Sequence, residues 1–414
     1  MNYIDLFAGA GGLSEGFIKA KLNPIAHVEL DQAACYTLKT RAVFNHLKNE
    51  NRLEIYYQYL RGEINRNTLY NSVDENVLEP VMEARIGQDN KLIFDKIDTL
   101  SKGKEIDLIV GGPPCQAYSL VGRARSENGM KGDPRNYLYV QYSRFLERYK
   151  PKMFVFENVL GLKSAGKGIH LKNMENLFLK KGYKMEVFPV DSNNFGVLQN
   201  RKRLIIIGWR WEDFTPALPD LSGIRTDKAY KVKEIFSDLP KLMHGQGKDK
   251  FQEFVKPAGE YLSNKDIRKD APVLTQHIAR PHTDQDRAIY NIAVKKWNNE
   301  KTRLDYNDLP EKLKTHKNRG AFLDRFKIVA DDLTASQTVV AHIAKDGHYY
   351  IHPDINQNRS ITIREAARLQ SFPDNYYFEG VKENANRTAA FKQIGNAVPP
   401  LMANQIAKEI KTLL

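Results

Sequence analysis

Residues 109–119, Ile-Val-Gly-Gly-Pro-Pro-Cys-Gln-Ala-Tyr-Ser, contain one of the two cysteines of the 414-residue chain. The apolar run that ends at Val110 predicts a buried parallel strand, and the two glycines and two prolines after it predict a sharp, rigid turn. Ligands of open α/β sheets bind at the carboxyl ends of the strands. Cys115 is therefore either a thiolate nucleophile held at such an edge or a small buried side chain.

Charge and composition narrow the class of protein. A formal net charge of +13 favours a polyanionic partner, nucleic acid before membrane. The chain has neither the run of ~18 apolar residues of a membrane span nor a signal peptide, so we expect a cytoplasmic protein without membrane contact. Cys35 and Cys115 lack metal-type spacing and the histidines form no helical pair. We therefore predict no metal, and histidines that are structural or face DNA.

The amino-terminal residues predict a nucleotide-like site. A strand over 2–7 runs through a glycine-rich turn into a helix, where backbone amides can approach a ligand. This pattern is consistent with NAD, FAD or S-adenosylmethionine. A second strand, over 24–30, carries Glu29 near its end, where an acidic residue is expected to hold a ribose diol.

The α/β pattern continues to Trp211. Glu157 lies at the end of a predicted apolar strand, and we expect it at the same edge of the sheet as Cys115. Because residues two apart lie on one face of a strand, Gln199, Arg201 and Arg203 are expected to point the same way, as ligands for an anion or a base edge. Further strands are predicted at 92–97, 153–159, 184–190 and 199–208, and helices near 136–149 and 170–181.

Three regions are predicted. A catalytic and cofactor-binding domain, 1–211, contains a mostly helical insertion at 43–91, with 50–60 as its clearest helix. Residues 216–330 form a loop-rich domain with short strands and hold 23 Lys and Arg against 16 Asp and Glu. Residues 331–414 return to the catalytic domain. Within this last region we predict a strand-like pair at 338–342 and 348–352, and helices at 364–370 and from 400 to the end.

Six stretches together resemble the DNA (cytosine-5) methyltransferase family of bacterial restriction-modification type. They occur in the family's order and span nearly the whole chain. They are DLFAGAGGLSEGF at 5–17, GGPPCQAYS at 111–119, FENV at 156–159, QNRKR at 199–203, RSITIREAARLQSFPD at 359–374 and QIGNAVPP at 393–400.

The resemblance implies a fold and a set of roles. The fold is α/β, a mostly parallel methyltransferase sheet with a smaller, loop-rich target-recognition domain, 216–330. Cys115 resembles the nucleophile that adds to cytosine C6, Glu157 the contact to N3 and the exocyclic amine, and Arg203 the contact to O2. Arg201 would support the thiolate, because a nearby cation lowers the pKa of a cysteine.

The resemblance also implies ligand contacts. S-adenosylmethionine is the expected cofactor, with Asp95 as the candidate for its adenine amine and Asp98 as the alternative. The other expected cofactor contacts are Phe7, Gly9, Gly11, Gly12, Leu13, Glu29, Pro113, Leu138, Asn396 and Val398. The expected DNA contacts are Gln116, Ser119, Arg123 and Gln199.

The implied activity is sequence-specific methylation of cytosine C5 in duplex DNA, with the base flipped out of the helix. The expected protein is a monomer, and a cognate restriction endonuclease that acts separately is left open. Three alternatives are a tRNA cytosine-5 methyltransferase, a catalytically silent nucleic-acid-binding regulator on the same scaffold, and a Rossmann oxidoreductase. The basic segment 216–330 favours DNA over tRNA, and the intact Cys115, Glu157, Arg201 and Arg203 disfavour the silent regulator. The oxidoreductase leaves the Cys115 stretch without a purpose.

Overall fold

The structure, a computed structural model, describes residues 1–114, 137–212, 217–223, 229–383 and 386–414. Within these ranges the strands form one large sheet and one short ribbon. The strands of the large sheet are β1 (Asn2–Leu6), β2 (Asn23–Glu29), β3 (Val81–Glu83), β4 (Leu108–Gly111), β5 (Met153–Asn158), β6 (Tyr183–Asp191) and β7 (Lys202–Arg210), and those of the ribbon are β8 (Gly247–Lys248) and β9 (His277–Ile278).

Helices cover both faces of the large sheet and continue beyond it. In the described part of the chain they are α1 (Gly12–Lys19), α2 (Gln32–Asn49), α3 (Leu53–Arg61), α4 (Arg66–Tyr70), α5 (Asn90–Ser101), α6 (Leu138–Tyr149), α7 (Ile169–Lys180), α8 (Glu260–Asn264), α9 (Asp284–Glu300), α10 (Ile363–Leu369), α11 (Arg387–Asn396) and α12 (Pro400–Leu413).

The large sheet has the order β3-β2-β1-β4-β5-β7-β6. Its first five strands pair in parallel, whereas β7 is antiparallel to both β5 and β6. The carboxyl ends of β1, β2, β4 and β5 therefore meet at one edge. This arrangement confirms the predicted α/β fold with a mostly parallel sheet.

The central strands are apolar on both faces, as expected for parallel strands covered by helices. Alternate residues of β1 and β4 enter two cores. Ile4, Leu6 and Ile109 pack with helices α5, α6 and α7, and Tyr3 and Val110 pack with α1 and α12 on the other side. Both faces of these strands are thus buried, so the edge formed by their carboxyl ends is held in a fixed position.

The predicted insertion at 43–91 is mostly helical, but two elements differ from the sequence prediction. The predicted helix at 50–60 is present as α3. The strand predicted at 92–97 is wrong, because these residues lie within helix α5. A short apolar run suits either structure, and here Ile93 and Ile97, four residues apart, place one helical face on the sheet. The strand in this part of the chain is instead β3, within the insertion.

The strand pair predicted at 338–342 and 348–352 is also wrong. Residues 341–344 form a short 3-10 helix, and Ile351 makes only isolated bridges to Ile328 and Ser360. The helices predicted at 364–370 and from 400 onward are confirmed as α10 and α12. Asn404 of α12 donates its side-chain amide to the Gly16 carbonyl at 3.0 Å, so the end of the chain packs on α1.

Buried ion pairs join the segment before β8 to α10. The Arg368 guanidinium lies 2.6 Å from carboxylate oxygens of both Asp238 and Asp374, and all three side chains are fully buried. Arg359 pairs in the same way with Glu365 at 2.7 Å. Because an unpaired buried charge is strongly destabilising, these pairs fix residues 238–242 on α10.

Three of the histidines are structural. His277 bonds to Pro240 O at 2.9 Å, and His282 bonds to the Ser360 hydroxyl at 3.0 Å. Burial lowers the pKa of each to about 4. His352 is also buried, and burial lowers its pKa to about 3. All three are therefore neutral at physiological pH, and they lie inside the protein instead of facing DNA.

No helix in the described ranges is long and apolar enough to cross a membrane. Across the same ranges no group of three or more His, Cys, Asp or Glu side chains is placed to hold a metal ion.

Candidate active site

Glu157 and Arg203 form an ion pair at the carboxyl edge of the sheet. Glu157 lies near the end of β5, and Arg203 lies on the neighbouring β7. The Arg203 Nε and Glu157 Oε1 atoms are 2.9 Å apart, and the side chains are only 13% and 11% exposed. A largely desolvated pair of this kind holds the carboxylate in one orientation.

The turn before Cys115 packs directly on this pair. A Cβ atom at Gly112 would lie 2.7 Å from Glu157 Oε2, so a side chain at this position would displace the carboxylate. Asn158 donates its side-chain amide to the Pro113 carbonyl at 3.4 Å, which ties the same turn to the end of β5. The turn and the Glu157 carboxylate therefore form one wall of a site.

Cys115, Gln116, Ser119 and Arg123 lie outside the described residues, so their roles stay predictions. Cys35, the other cysteine, is buried on α2, and burial raises the pKa of its thiol to about 12. Its thiol donates to the Glu29 carbonyl at 3.6 Å. Cys35 is therefore protonated at physiological pH and is not a nucleophile.

Arg201 does not share a face with Arg203, contrary to the prediction. Strand β7 begins at Lys202, so the alternation expected for a strand does not extend to Arg201. Arg201 is buried and donates to the Val339 carbonyl at 2.7 Å and the Gly395 carbonyl at 3.0 Å. These hydrogen bonds hold the start of β7 against two segments that are distant in sequence. That Arg201 supports the Cys115 thiolate stays a prediction.

Gln199 does not lie on a DNA-facing surface, contrary to the prediction. It is fully buried, and its Nε2 donates to the Leu369 carbonyl at 3.1 Å and to Gln370 at 3.2 Å. Its Oε1 accepts from the Val339 amide at 2.7 Å. Because both ends of the amide are bonded inside the protein, Gln199 connects the start of β7 to α10.

The Glu29 carboxylate accepts hydrogen bonds from three backbone amides at the end of β2. Its Oε2 accepts from Gly9 at 2.8 Å, and its Oε1 accepts from Leu30 at 2.7 Å and Asp31 at 2.8 Å. Burial raises the pKa of Glu29, and the three donors act in the opposite direction. The carboxylate thus joins the β1–α1 turn to the end of β2.

The glycine-rich turn packs on the segment between α11 and α12. A Cβ at Gly12 would lie 2.3 Å from the Val398 carbonyl oxygen, so this close approach requires glycine. Leu13 and Val398 are both buried in the core beneath the turn. Asn396, the last residue of α11, is exposed beside them. The structure therefore brings together candidate cofactor residues from both ends of the chain.

The remaining candidates take different positions. Phe7 has the positive φ of +58° and follows β1 directly. Gly11 is the N-cap of α1, and Pro113 is buried next to β5. Leu138 is half-buried at the first turn of α6.

Asp95 and Asp98 both lie on α5, exposed, and neither follows a strand. Asp98 pairs with Arg148 and accepts from the Tyr149 hydroxyl at 3.2 Å. At the end of β3, Glu83 lies beside Glu29, and the amide of the next residue, Ala84, donates to the Glu29 carbonyl at 2.9 Å. The strand predicted over 92–97 is helix α5, and the adenine contact by Asp95, with Asp98 as the alternative, stays a prediction.

Comparison with known proteins identifies the family. The model of the C-5 cytosine-specific DNA methylase family matches residues 1–57 and 80–412. The chain belongs to this family. It is 41% identical to the type II methyltransferase M.Bpa9945I of Bacillus paralicheniformis over 100% of this chain and 99% of that protein. It is 31% identical to the type II methyltransferase M.DdeI of Desulfomicrobium norvegicum, over 99% and 88% of the two chains.

Solved structures support the fold. A putative DNA modification methyltransferase encoded within an Escherichia coli prophage superposes with a TM-score of 0.64 at 22% identity, covering 100% of this chain and 99% of that one. The Entamoeba histolytica methyltransferase EhMeth gives a TM-score of 0.55 at 14% identity, covering 100% and 98%.

The protein is thus a DNA cytosine-5 methyltransferase, as the six motifs predicted. The family match leaves out residues 58–79, which hold the end of α3 and the whole of α4. Residues 58–79 belong to the insertion predicted at 43–91, in which none of the six motifs lies.

Proposed function

We propose that the enzyme transfers a methyl group from S-adenosylmethionine to C5 of cytosine within a specific sequence of duplex DNA, with Cys115 as the nucleophile. The observation that carries this proposal is the Glu157–Arg203 pair, 2.9 Å apart, against the turn that leads to Cys115. A carboxylate and a guanidinium fixed side by side suit the donor and acceptor edge of a cytosine ring.

The residues around Glu29 fit S-adenosylmethionine. A carboxylate offers about four lone-pair positions and Glu29 uses three for backbone amides, which leaves one for a ribose hydroxyl. The backbone of Gly9 borders open space, since no atom lies within 4 Å of a Cβ added there. The amino terminus of α1 adds amide groups at the same place. S-adenosylmethionine would supply an electrophilic methyl group on sulfur.

We infer the following chemistry for the protein side chains. The Cys115 thiolate forms a bond to cytosine C6 and moves an electron pair toward C5, which then takes the methyl group. Glu157 holds N3 and the exocyclic amine while charge builds up on the ring. Arg203 holds O2, because a guanidinium has five N–H donors and pairing with Glu157 leaves some for the base. Loss of the C5 proton to a base and departure of the thiolate restore the ring.

This chemistry requires base flipping. C6 of a stacked cytosine is not accessible to a side chain, so the base must leave the duplex at a cost of a few kcal/mol. The Glu157–Arg203 pair is nearly buried, which supports a pocket that receives a single base rather than a flat duplex surface.

We infer that residues 216–330 recognise the DNA sequence. The segment carries 23 Lys and Arg against 16 Asp and Glu, and its described part contains loops and short 3-10 helices around the β8–β9 ribbon and helices α8 and α9. Base readout needs such loops in a groove, whereas the Glu157–Arg203 pair lies on the sheet. The 17-residue helix α9 was not predicted from the sequence.

Exchange of this segment should move the methylation site. A chimera that carries the counterpart from a type II methyltransferase of different specificity is expected to methylate the donor's sequence, because readout and chemistry lie on different elements. The chimera must keep an aspartate at position 238, whose partner Arg368 is fully buried. Genome-wide mapping of 5-methylcytosine in cells that express the chimera checks this. An active chimera that kept the original site would place recognition elsewhere.

Glu29→Ala should weaken binding of S-adenosylmethionine by about 10- to 100-fold, because a charge-assisted hydrogen bond contributes roughly 1.5–3 kcal/mol. Isothermal calorimetry measures this. The matched control is Glu186→Ala, which removes an exposed carboxylate from β6 at the far end of the sheet and should leave the affinity unchanged. Unchanged affinity in the Glu29 variant would mean that Glu29 does not hold the cofactor.

Sequencing tests the function as a whole. Bisulfite sequencing of DNA and of tRNA from cells that express the enzyme should show 5-methylcytosine at one DNA sequence and no added methylation of tRNA. Methylated tRNA without methylated DNA would favour the RNA enzyme instead. We further propose that the enzyme acts as a monomer, in a host where a separate restriction endonuclease reads the same sequence.

A further inference from the structure

The insertion meets two distant parts of the chain around one buried carboxylate. Glu379 accepts from the Tyr59 hydroxyl at 2.6 Å and from Thr40 at 2.7 Å. Arg66 of α4 donates to the carbonyls of Gly380 at 2.8 Å and Val381 at 3.0 Å. Helices α3 and α4 are thereby fixed to residues 379–381.

The same helices contact the segment proposed to recognise DNA. Tyr57 donates to the Asp270 carbonyl at 3.3 Å, and Lys48 pairs with the Asp270 carboxylate at 2.6 Å. Val273 is buried in the apolar core that α2, α3 and α4 form. Residues 43–91 are therefore placed between the sheet domain and part of residues 216–330.

Lys250 is a second link between the insertion and residues 216–330. Its Nζ lies 3.5 Å from the centroid of the Tyr59 ring and 3.9 Å from that of Tyr377. Its stem passes over the end of α3, where a Cβ at Gly62 would lie 3.6 Å from Lys250 Cγ. Within the described residues Nζ has no hydrogen-bond acceptor, so the two ring faces take the place of one.

Lys250 belongs to a ribbon formed by residues 247–252 and 274–278. Gln252 and Leu274 exchange backbone hydrogen bonds of 2.9 and 3.2 Å. The inner strand, 274–278, is held by α10 and Phe378, since Arg364 N donates to Gln276 O at 3.0 Å and Phe378 N to Gln276 Oε1 at 3.1 Å. The outer strand, 247–252, contacts the rest of the protein through Asp249, which accepts from Tyr377, and through Lys250.

We propose that Lys250, clamped between Tyr59 and Tyr377, is a positioning residue through which the insertion sets the outer strand of the ribbon for DNA binding. The inference rests on the proposed recognition role of 216–330. Tyr59 lies within residues 58–79, which the family model does not match, so the clamp includes a residue outside the family's common part. The insertion is thus part of the apparatus that holds DNA.

The clamp should depend on pH. Burial lowers the pKa of Lys250 to about 8, although Glu379, Asp249 and Glu383 favour its charge, and Arg66 lowers the pKa further. The ammonium is therefore lost as the pH rises through about 8, and the attraction to the rings is lost with it. Tyr59 and Tyr377 stay neutral, because burial raises the pKa of both well above the usual value.

The test compares three variants of the full-length enzyme. Lys250→Met is expected to raise the KM for unmethylated genomic DNA about tenfold, with kcat and the KM for S-adenosylmethionine within about twofold, because methionine keeps the apolar stem but loses the cation–π contact with both rings. Lys250→Arg should restore the wild-type KM. Lys152→Met is the control, since this lysine pairs with Asp107 at 3.1 Å at the opposite edge of the sheet.

Two further readouts separate positioning from a general loss of fold. The KM of the wild type for DNA should rise between pH 7.5 and 9, and that of Lys250→Arg should not, since arginine stays charged. Amide exchange by mass spectrometry should be faster over 247–252 in Lys250→Met than in the wild type, with the sheet unchanged. Unchanged exchange and an unchanged KM for DNA in Lys250→Met would overturn the proposal. A wild type that methylates no DNA would contradict the proposed function, while the exchange result would still report on the clamp.

Discussion

Cys115→Ala should lower methyl transfer by about 10⁴-fold or more, because removal of a covalent nucleophile abolishes the step that activates C5. Binding of DNA and of S-adenosylmethionine should persist, since the contacts around Glu29 and the Glu157–Arg203 pair do not involve the thiol. Transfer of a radioactive methyl group to DNA measures the loss, and calorimetry measures both affinities.

Cys35→Ala is the matched control, because it removes the other thiol of the chain. Burial raises the pKa of Cys35 to about 12, so the variant should methylate at a rate close to that of the wild type. Wild type and Cys35→Ala should also form a denaturation-resistant adduct with duplexes that carry 5-fluorocytosine at the target, and Cys115→Ala should not. An adduct in Cys115→Ala, or none in the wild type, would assign the nucleophile to another residue.

The sheet and its edge could be predicted because the signals are local. An apolar run that ends in a carboxylate, as at Glu29 and Glu157, marks a buried strand and its carboxyl end within a few residues. The tight turn after β1 could be predicted in the same way from its glycines. The structure shows the need for one of them, since a side chain at Gly12 would not fit beside the Val398 carbonyl. These local features therefore predict that Glu29 and Glu157 lie at the carboxyl edge of the sheet.

What could not be predicted depends on segments far apart in sequence. The hydrogen-bond partners of the Gln199 side chain are 140 to 171 residues away in the sequence, so the residues next to Gln199 did not indicate that it is buried. Arg368 carries a charge that normally indicates the surface, yet Asp238 and Asp374 make it a core residue. The error at 92–97 has a different cause, because a six-residue run with four apolar side chains fits a strand and a helix equally well.

The insertion combines both difficulties. Its sequence is rich in tyrosine, which favours packing against the rest of the protein. The partners of Tyr59, however, are Lys250, which precedes α10 in the sequence, and Glu379, which follows it. β3 has only three residues, too few for a periodic signal, although it extends the sheet beside Glu29.

Glu157→Gln should lower kcat by about 10²–10³-fold, because loss of one fixed electrostatic contact to a developing charge typically costs that much. Glutamine has nearly the same volume, so the close contact with Gly112 and the binding of S-adenosylmethionine should not change. Single-turnover kinetics on a mapped target duplex measures the loss. Glu186→Gln, an exposed change on β6, is the control and should keep the wild-type rate.

Arg203 provides the sharper test of the site, because its Nε atom lies 2.9 Å from the carboxylate of Glu157. If Arg203 acts in part by orienting Glu157, the rate losses of Arg203→Lys and Glu157→Gln should be smaller together than the product of the two, since residues in direct contact do not contribute independently. The double variant should therefore be only slightly slower than the slower single variant. Fully multiplicative losses would mean that the two side chains contact the base separately, and that the ion pair between them does not contribute to catalysis.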